Sequence, residues 1–435
     1  MEMGLLRIIN SEEITEDTLS QFIPRQIEQF QAVEHIVREI IERVRQEGDE
    51  SLLKLTKKFD NIDLTDSGIQ TLSKEIEEAY KKIDRKLLNA LKYAKSNLIK
   101  FHLAQKREEW SIPIEKGVKA GQIFRPLERV GLYIPGGRAI YPSTVLMAAT
   151  PAYVAGVKEI ILCSPPQKDG RIAPEILVAA NELGIKEIYK VGGAQAIAAM
   201  AYGTKTIPRV QKVVGPGNKY VNAAKQILSK IIAIDNPAGP SEILIIADEE
   251  ANLAYVIVDF ISQIEHDPDN IGIIVSASKN FLLQINEKLS SFIDKCERKE
   301  IIQKALNNCL LVEAKNLEDC ARISNIIAPE HLELLIKNPK EMLPKIRNAG
   351  AIFLGPYSPV PLGDYSAGTN HILPTGGNAK TYSGLNVYDF LKMIDILECT
   401  REGLSRLSDS SMTMAQFEKL YTHKKSIEER LKDKK

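Results

Sequence analysis

Neither sign of charge is in excess in this sequence: 57 Lys and Arg stand against 57 Asp and Glu. Without a basic excess there is no electrostatic footprint for nucleic acid, and a small-molecule partner fits better. Cysteine is sparse and unpatterned, since Cys163, Cys296, Cys309, Cys320 and Cys399 show no CxxC spacing and an odd count. Neither a disulfide framework nor a thiolate zinc site is suggested, and reduced, mostly buried thiols are the expectation. No apolar run is long enough to span a bilayer. The opening Met1-Glu-Met-Gly-Leu-Leu-Arg-Ile-Ile-Asn also lacks the basic start and long apolar core of a signal peptide, which points to the cytoplasm.

What is present is a chain of 435 residues, 44% apolar and 26% charged, long enough to bury two or more cores. Residues up to about 110 carry Glu, Lys, Leu and Ile at helical spacing, broken by the turn Phe59-Asp-Asn-Ile-Asp-Leu-Thr-Asp-Ser-Gly, and read as a helical region. From about residue 125 short apolar runs alternate with helices, at Val130-Gly-Leu-Tyr-Ile-Pro-Gly-Gly, Glu159-Ile-Ile-Leu-Cys-Ser, Glu187-Ile-Tyr-Lys-Val-Gly-Gly and Lys212-Val-Val-Gly-Pro-Gly-Asn. That alternation predicts a parallel, doubly wound α/β sheet. Glu242-Ile-Leu-Ile-Ile-Ala, Asn270-Ile-Gly-Ile-Ile-Val and Ala351-Ile-Phe-Leu suggest a second α/β unit, and the stretch from about 385 to Lys435 reads as charged helix.

Ligands of open parallel sheets collect beyond the carboxyl ends of the strands, where the turns Gly136-Gly137, Gly192-Gly193 and Gly215-Pro-Gly217-Asn218 lie. The last resembles the opening of a dinucleotide fingerprint, but Tyr220 stands where the third glycine belongs. Cofactor binding and plain strand-to-helix turns explain these glycines equally.

Four of the six histidines follow residue 260. Asp364 and His371 fall in a Gly-rich loop after the apolar run Ala351 to Leu354 and read either as a loop hydrogen bond or as zinc ligands. Gln263 and His266 lie at i and i+3 after an apolar run ended by Pro268, so one helix would present both on one face. Pro329-Glu330-His331 places an acid beside an imidazole at the expected start of a helix, either as proton-transfer groups or as a dipole-favoured terminus. His423 in Glu418-Lys-Leu-Tyr-Thr-His reads as a solvated helix face, and His35 and His102 as helix surface or core edge.

Together these segments, with Val191-Gly-Gly-Ala-Gln-Ala, Pro237-Ala-Gly-Pro-Ser-Glu, Gly363-Asp-Tyr, Asn370-His-Ile-Leu-Pro-Thr-Gly-Gly and Ser383-Gly-Leu-Asn-Val-Tyr-Asp-Phe, resemble the histidinol dehydrogenase family over nearly the whole chain. The resemblance implies an NAD-linked, zinc-dependent, four-electron oxidation of L-histidinol to L-histidine through bound L-histidinal. The implied zinc ligands are Gln263, His266, Asp364 and His423, the last supplied by the partner of an intertwined homodimer. His331 matches the base and Glu330 the group that activates water. Ser241, His371 and Glu418 match substrate contacts, as do the ligands themselves, and Tyr133, Gln195 and Asn218 match the NAD contacts.

The implied fold is two Rossmann-like, aldehyde-dehydrogenase-like domains with helical extensions. Residues 1–24 are the N-terminal extension, 25–110 plus 237–382 the larger domain with the zinc site, 125–236 the NAD domain and 383–435 a swapped tail. Val360, where an acidic residue is common, and Asn378, where a small hydroxyl residue is common, depart from the family pattern and concern loop packing only. Two other readings are a cysteine-type aldehyde dehydrogenase using Cys163, which would need an activated thiolate, and a two-lobed ligand-binding protein in which Glu330 and His331 are structural.

Overall fold

The computed structural model describes residues 5–23, 27–136, 140–236 and 239–432. Gly137 and the first two residues of the Pro237 motif lie outside them. In chain order the strands are β1 (Arg7–Asn10), β2 (Trp110–Glu115), β3 (Val118–Pro126), β4 (Arg129–Tyr133), β5 (Glu159–Ser164), β6 (Glu187–Lys190) and β7 (Lys212–Val214). They continue with β8 (Ala233–Ile234), β9 (Glu242–Ala247), β10 (Ile271–Ser276), β11 (Leu310–Glu313), β12 (His331–Leu335), β13 (Ala351–Leu354) and β14 (Leu391–Cys399).

Two parallel sheets carry the architecture. The first has the order β6-β5-β4-β7-β8 and the second β1-β11-β10-β9-β12-β13. Each is doubly wound, because the strand order reverses beside its first strand in the alternating run, β4 in one and β9 in the other. Buried strands covered on both faces need no polar alternation, and β9 and β10 are accordingly buried at every residue. In the second sheet Ile243, Ile245 and Ala247 of β9 join the core under the helix Leu253–Ile264, while Leu244 and Ile246 face the opposite core.

Four expectations about organisation change. Residues 1–24 do not merely extend the chain, since β1 pairs in parallel with β11 and closes one edge of the second sheet. The helices between residues 27 and 105, expected with the 237–382 unit, pack instead on the first sheet's layers. Val33, Val37 and Ile41 enter the core of the helices Gly193–Tyr202 and Lys219–Leu228, and Leu91 and Leu98 enter that of Pro142–Ala155. The tail is not helical throughout, because β14 pairs antiparallel with β3 over nine residues before the helices Arg401–Phe417 and Tyr421–Lys432 begin. His102 is a core residue, fully buried, with Nδ1 2.9 Å from Gln105 Oε1 and Nε2 3.3 Å from Asn370 Nδ2.

Candidate active site

Glu330 and His331 stand at the amino end of β12 and not at a helix start. The helix Leu317–Ile327 stops at Ala328, whose left-handed φ of 52° turns the chain toward the sheet. Pairing His331 with Ile243 on one side and Ala351 on the other then fixes the register. This site therefore lies at the amino edge of its sheet, opposite in sense to the glycine turns of the first sheet.

One residue holds both side chains. The Glu242 N–H donates to Glu330 Oε2 at 2.9 Å, and its carbonyl oxygen lies 3.1 Å from His331 Nδ1. A carbonyl can only accept, so Nδ1 carries the proton and Nε2 faces inward, 3.7 Å from Asp364 Oδ1 and without a hydrogen-bond partner. Burial pushes the Glu330 carboxyl up to about 7 against the opposing pull of His331. Burial disfavours the His331 imidazolium, but Glu330 and Asp364 outweigh it and raise the ring to about 9. The neutral imidazole expected of a base thus requires the charges of Glu330 and Asp364 both to be relieved. Ser241 stands directly before β9, and its N–H donates to Asn270 Oδ1 at 3.1 Å.

Asp364 sits in the short helix Val360–Tyr365, where irregular loop was expected. Burial would raise its carboxyl, yet the His331 imidazole 3.7 Å away and the charges of His371 and His266 hold it below the ordinary range. His371 donates from Nδ1 to the Asp364 carbonyl at 3.0 Å, and its Nε2 lies 3.3 Å from Thr144 Oγ1 on the first domain's helix Pro142–Ala155. Gln263 is buried in the last turn of the helix Leu253–Ile264, whereas His266 lies beyond that helix's end and is exposed.

The amide oxygen, imidazole and carboxylate of Gln263, His266 and Asp364 are a donor set of the kind zinc accepts. Among the described residues no group of three or more His, Cys, Asp and Glu is disposed to hold a metal. Glu418 and His423 remain exposed on the tail.

The predicted cofactor residues gather at the switch point of the first sheet. Tyr133 ends β4, and its hydroxyl accepts the Gly193 N–H at 3.1 Å. Burial pushes its phenol up to about 12, so the O–H stays protonated and able to donate. Gly215, after β7, has φ of 120°, and a Cβ there would lie 2.1 Å from the Tyr133 carbonyl oxygen. Asp235 accepts the Gly215 N–H at 2.6 Å, Lys225 donates to the Gly215 carbonyl at 3.0 Å, and the two charges pair with each other out of water. Asn218 caps the helix Lys219–Leu228 through Oδ1, and Gln195 is buried in the helix Gly193–Tyr202. Side-chain-free backbone at two helix N-termini suits the phosphates of a dinucleotide.

Sequence reasoning missed Glu242, Thr144 and Glu333. Glu242 and Glu333 each had a signal, as the ends of the Pro237-Ala-Gly-Pro-Ser-Glu and Pro329-Glu-His-Leu-Glu motifs.

The family model for histidinol dehydrogenase matches residues 23–431. The histidinol dehydrogenase of Methanocaldococcus jannaschii is 48% identical over 421 residues, covering 97% of each chain. That of Lactococcus lactis subsp. lactis is 44% identical over 424 residues, covering 97% of this chain and 98% of the relative. The crystal structure of histidinol dehydrogenase from Elizabethkingia anophelis superposes with a TM-score of 0.95 at 40% identity, covering 99% of both chains. A buried acid–imidazole pair on this fold and matches of this extent have one meaning: the chain belongs to the histidinol dehydrogenase family of oxidoreductases.

Proposed function

We propose that the chain oxidises L-histidinol to L-histidine with two NAD, in a zinc-dependent site shared between two subunits. The supporting observation is the buried Glu330–His331 pair, held by both backbone groups of Glu242 with the second imidazole nitrogen directed at Asp364.

Converting the alcohol to the aldehyde removes a hydride and the hydroxyl proton, and His331 Nε2 is the nitrogen free of the backbone bond to take that proton. Adding water to the aldehyde and removing a second hydride yields the acid. Glu330, titrating near neutrality, takes the proton of the attacking water. NAD bound beside Tyr133, Gln195 and Asn218 would accept the hydrides, and zinc on Gln263, His266, Asp364 and a partner's His423 would position the substrate while engaging the Asp364 charge. Ser241, His371 and Glu418 complete the substrate contacts.

The shared site is supported by apolar surface that one chain leaves uncovered. Trp110, Ile112 and Ile114 of β2 and Met393, Ile396 and Leu397 of β14 are exposed, as is Phe417 at 84%. Patches of this kind mark interfaces. Among the described residues no helix is long and apolar enough to cross a membrane, which is compatible with the cytoplasm. The cysteine-type reading is disfavoured because Cys163 is fully buried and burial pushes its thiol up, away from a reactive thiolate.

The test is NADH formed per L-histidinol consumed, with metal-stripped protein and with zinc restored. Two NADH only with zinc is the expected result. One NADH with aldehyde released would remove the hydration step and the Glu330 role, and none would remove the substrate assignment.

A further inference from the structure

The loop that carries Asp364 and His371 follows β13 of the second sheet, yet Ser366, Asn370 and His371 all bond to helices packed on the first. Asn370 makes the shortest of these ties. Its Nδ2 donates to the Met147 carbonyl at 2.7 Å, and both residues are buried. That carbonyl is open because Pro151, one turn further along the helix Pro142–Ala155, has no N–H to give it. Asn370 Oδ1 accepts the Ile372 N–H at 2.9 Å, which fixes the two ends of the amide. Its Nδ2 also lies 3.3 Å from His102 Nε2, while His102 Nδ1 lies 2.9 Å from Gln105 Oε1. That Gln105 oxygen accepts the Val387 N–H, so His102 donates to it from Nδ1 and accepts from Asn370 at Nε2. Only a neutral imidazole does both, and burial holds the His102 ring below the ordinary histidine value.

His371 makes the neighbouring tie. Its Nδ1 donates to the Asp364 carbonyl, so Nε2 is an acceptor and the Thr144 hydroxyl donates to it at 3.3 Å. Thr144 stands in the first turn of the helix that follows β4, the strand ended by Tyr133, and so at the cofactor end of the first sheet.

We propose that Asn370 and Thr144 are positioning residues that bolt the substrate loop onto the helix Pro142–Ala155, and so set the distance over which hydride passes from the substrate carbon to the nicotinamide. This rests on the activity proposed above, which puts NAD at one sheet and the substrate at the other. In each half-reaction a C–H bond breaks and its hydrogen leaves with the electron pair for the nicotinamide. Reacting atoms must approach to about 3–3.5 Å, and a displacement of about 1 Å costs about 10²-fold in rate. Both residues act through the backbone and ring of His371.

The experiment compares Asn370→Leu, Thr144→Val and Thr144→Ser with the wild type in kcat, in the isotope effect on kcat with L-histidinol deuterated at the alcohol carbon, in the Kd for NAD, and in amide exchange of residues 364–372 without substrate. Asn370→Leu and Thr144→Val are expected to lower kcat about 10- to 100-fold. The isotope effect should rise, because hydride transfer has become limiting, and exchange in the segment should quicken while the Kd for NAD stays the same. Thr144→Ser keeps the donor and should restore the wild-type behaviour. A lowered melting temperature with kcat and isotope effect unchanged would reduce these bonds to packing and overturn the proposal. A raised Kd for NAD with hydride transfer unaltered would make the helix a cofactor contact only and overturn it equally. Should Asn370→Leu fail to fold, Thr144→Val decides on the same criteria. Wild-type protein that forms no NADH from L-histidinol would instead overturn the underlying activity, and this proposal with it.

Discussion

His331 Nδ1 lies 3.1 Å from the Glu242 carbonyl oxygen, and that contact decides which imidazole nitrogen can do chemistry. His331→Asn keeps a donor near the carbonyl but removes Nε2. Turnover is expected to fall about 10²- to 10⁴-fold with zinc content unchanged. Steady-state kinetics with metal analysis checks this, and full turnover would make His331 structural.

Glu330→Gln separates the two half-reactions. The amide still accepts the Glu242 N–H but cannot take a proton, so NADH per substrate is expected to drop from two toward one with aldehyde detectable. In the wild type the acid-forming step should weaken as pH falls through about 7, where the carboxylate is protonated. The stability sign is opposite to that of an ion-paired acid. The folded-state value lies above the ordinary one of 4.5, so the contribution is fully present below 4.5 and is lost as pH rises through about 7. Glu330→Gln should therefore melt higher than the wild type above pH 7 while being less active.

The Lys225–Asp235 pair clamps Gly215 by both its backbone groups. Lys225→Met leaves a buried carboxylate without its cation, and denaturant titration should show a loss of about 3–5 kcal/mol. Gly215→Ala would force a Cβ to 2.1 Å from the Tyr133 carbonyl. A raised KM for NAD is expected in any Gly215→Ala protein that folds, and an unchanged KM would detach this turn from the cofactor.

Those turns were legible because glycine at a strand end is a local signal, and the apolar runs of β4, β5, β9 and β10 were legible because buried parallel strands are continuous in hydrophobicity. His331-Leu-Glu-Leu-Leu was misread because two polar residues occupy the core face of β12, where function overrides the pattern that reveals a strand. β14 was read as helix because its partner β3 lies some 270 residues earlier, as in the pair Gln122 and Asp395, and strand formation follows pairing more than propensity. Nothing local in the residue 27–105 helices tells which sheet they cover. Of the two positions that depart from the family pattern, Val360 lies in the core under β9 and Asn378 donates to the Thr375 carbonyl at 2.7 Å.

The shared site predicts complementation between defective subunits. The helix Tyr421–Lys432 buries no residue against its own chain and leaves His423 exposed, so His423→Ala should not disturb folding yet should abolish zinc-dependent turnover. If His423 serves the partner, a heterodimer of His331→Asn and His423→Ala subunits has one site with both defects and one with neither. Random pairing of equal amounts makes half the dimers mixed, each with one intact site, and should restore about one quarter of wild-type activity from two inactive parents. A ligand supplied within the same chain would leave every site defective, and the mixture would stay as inactive as its components.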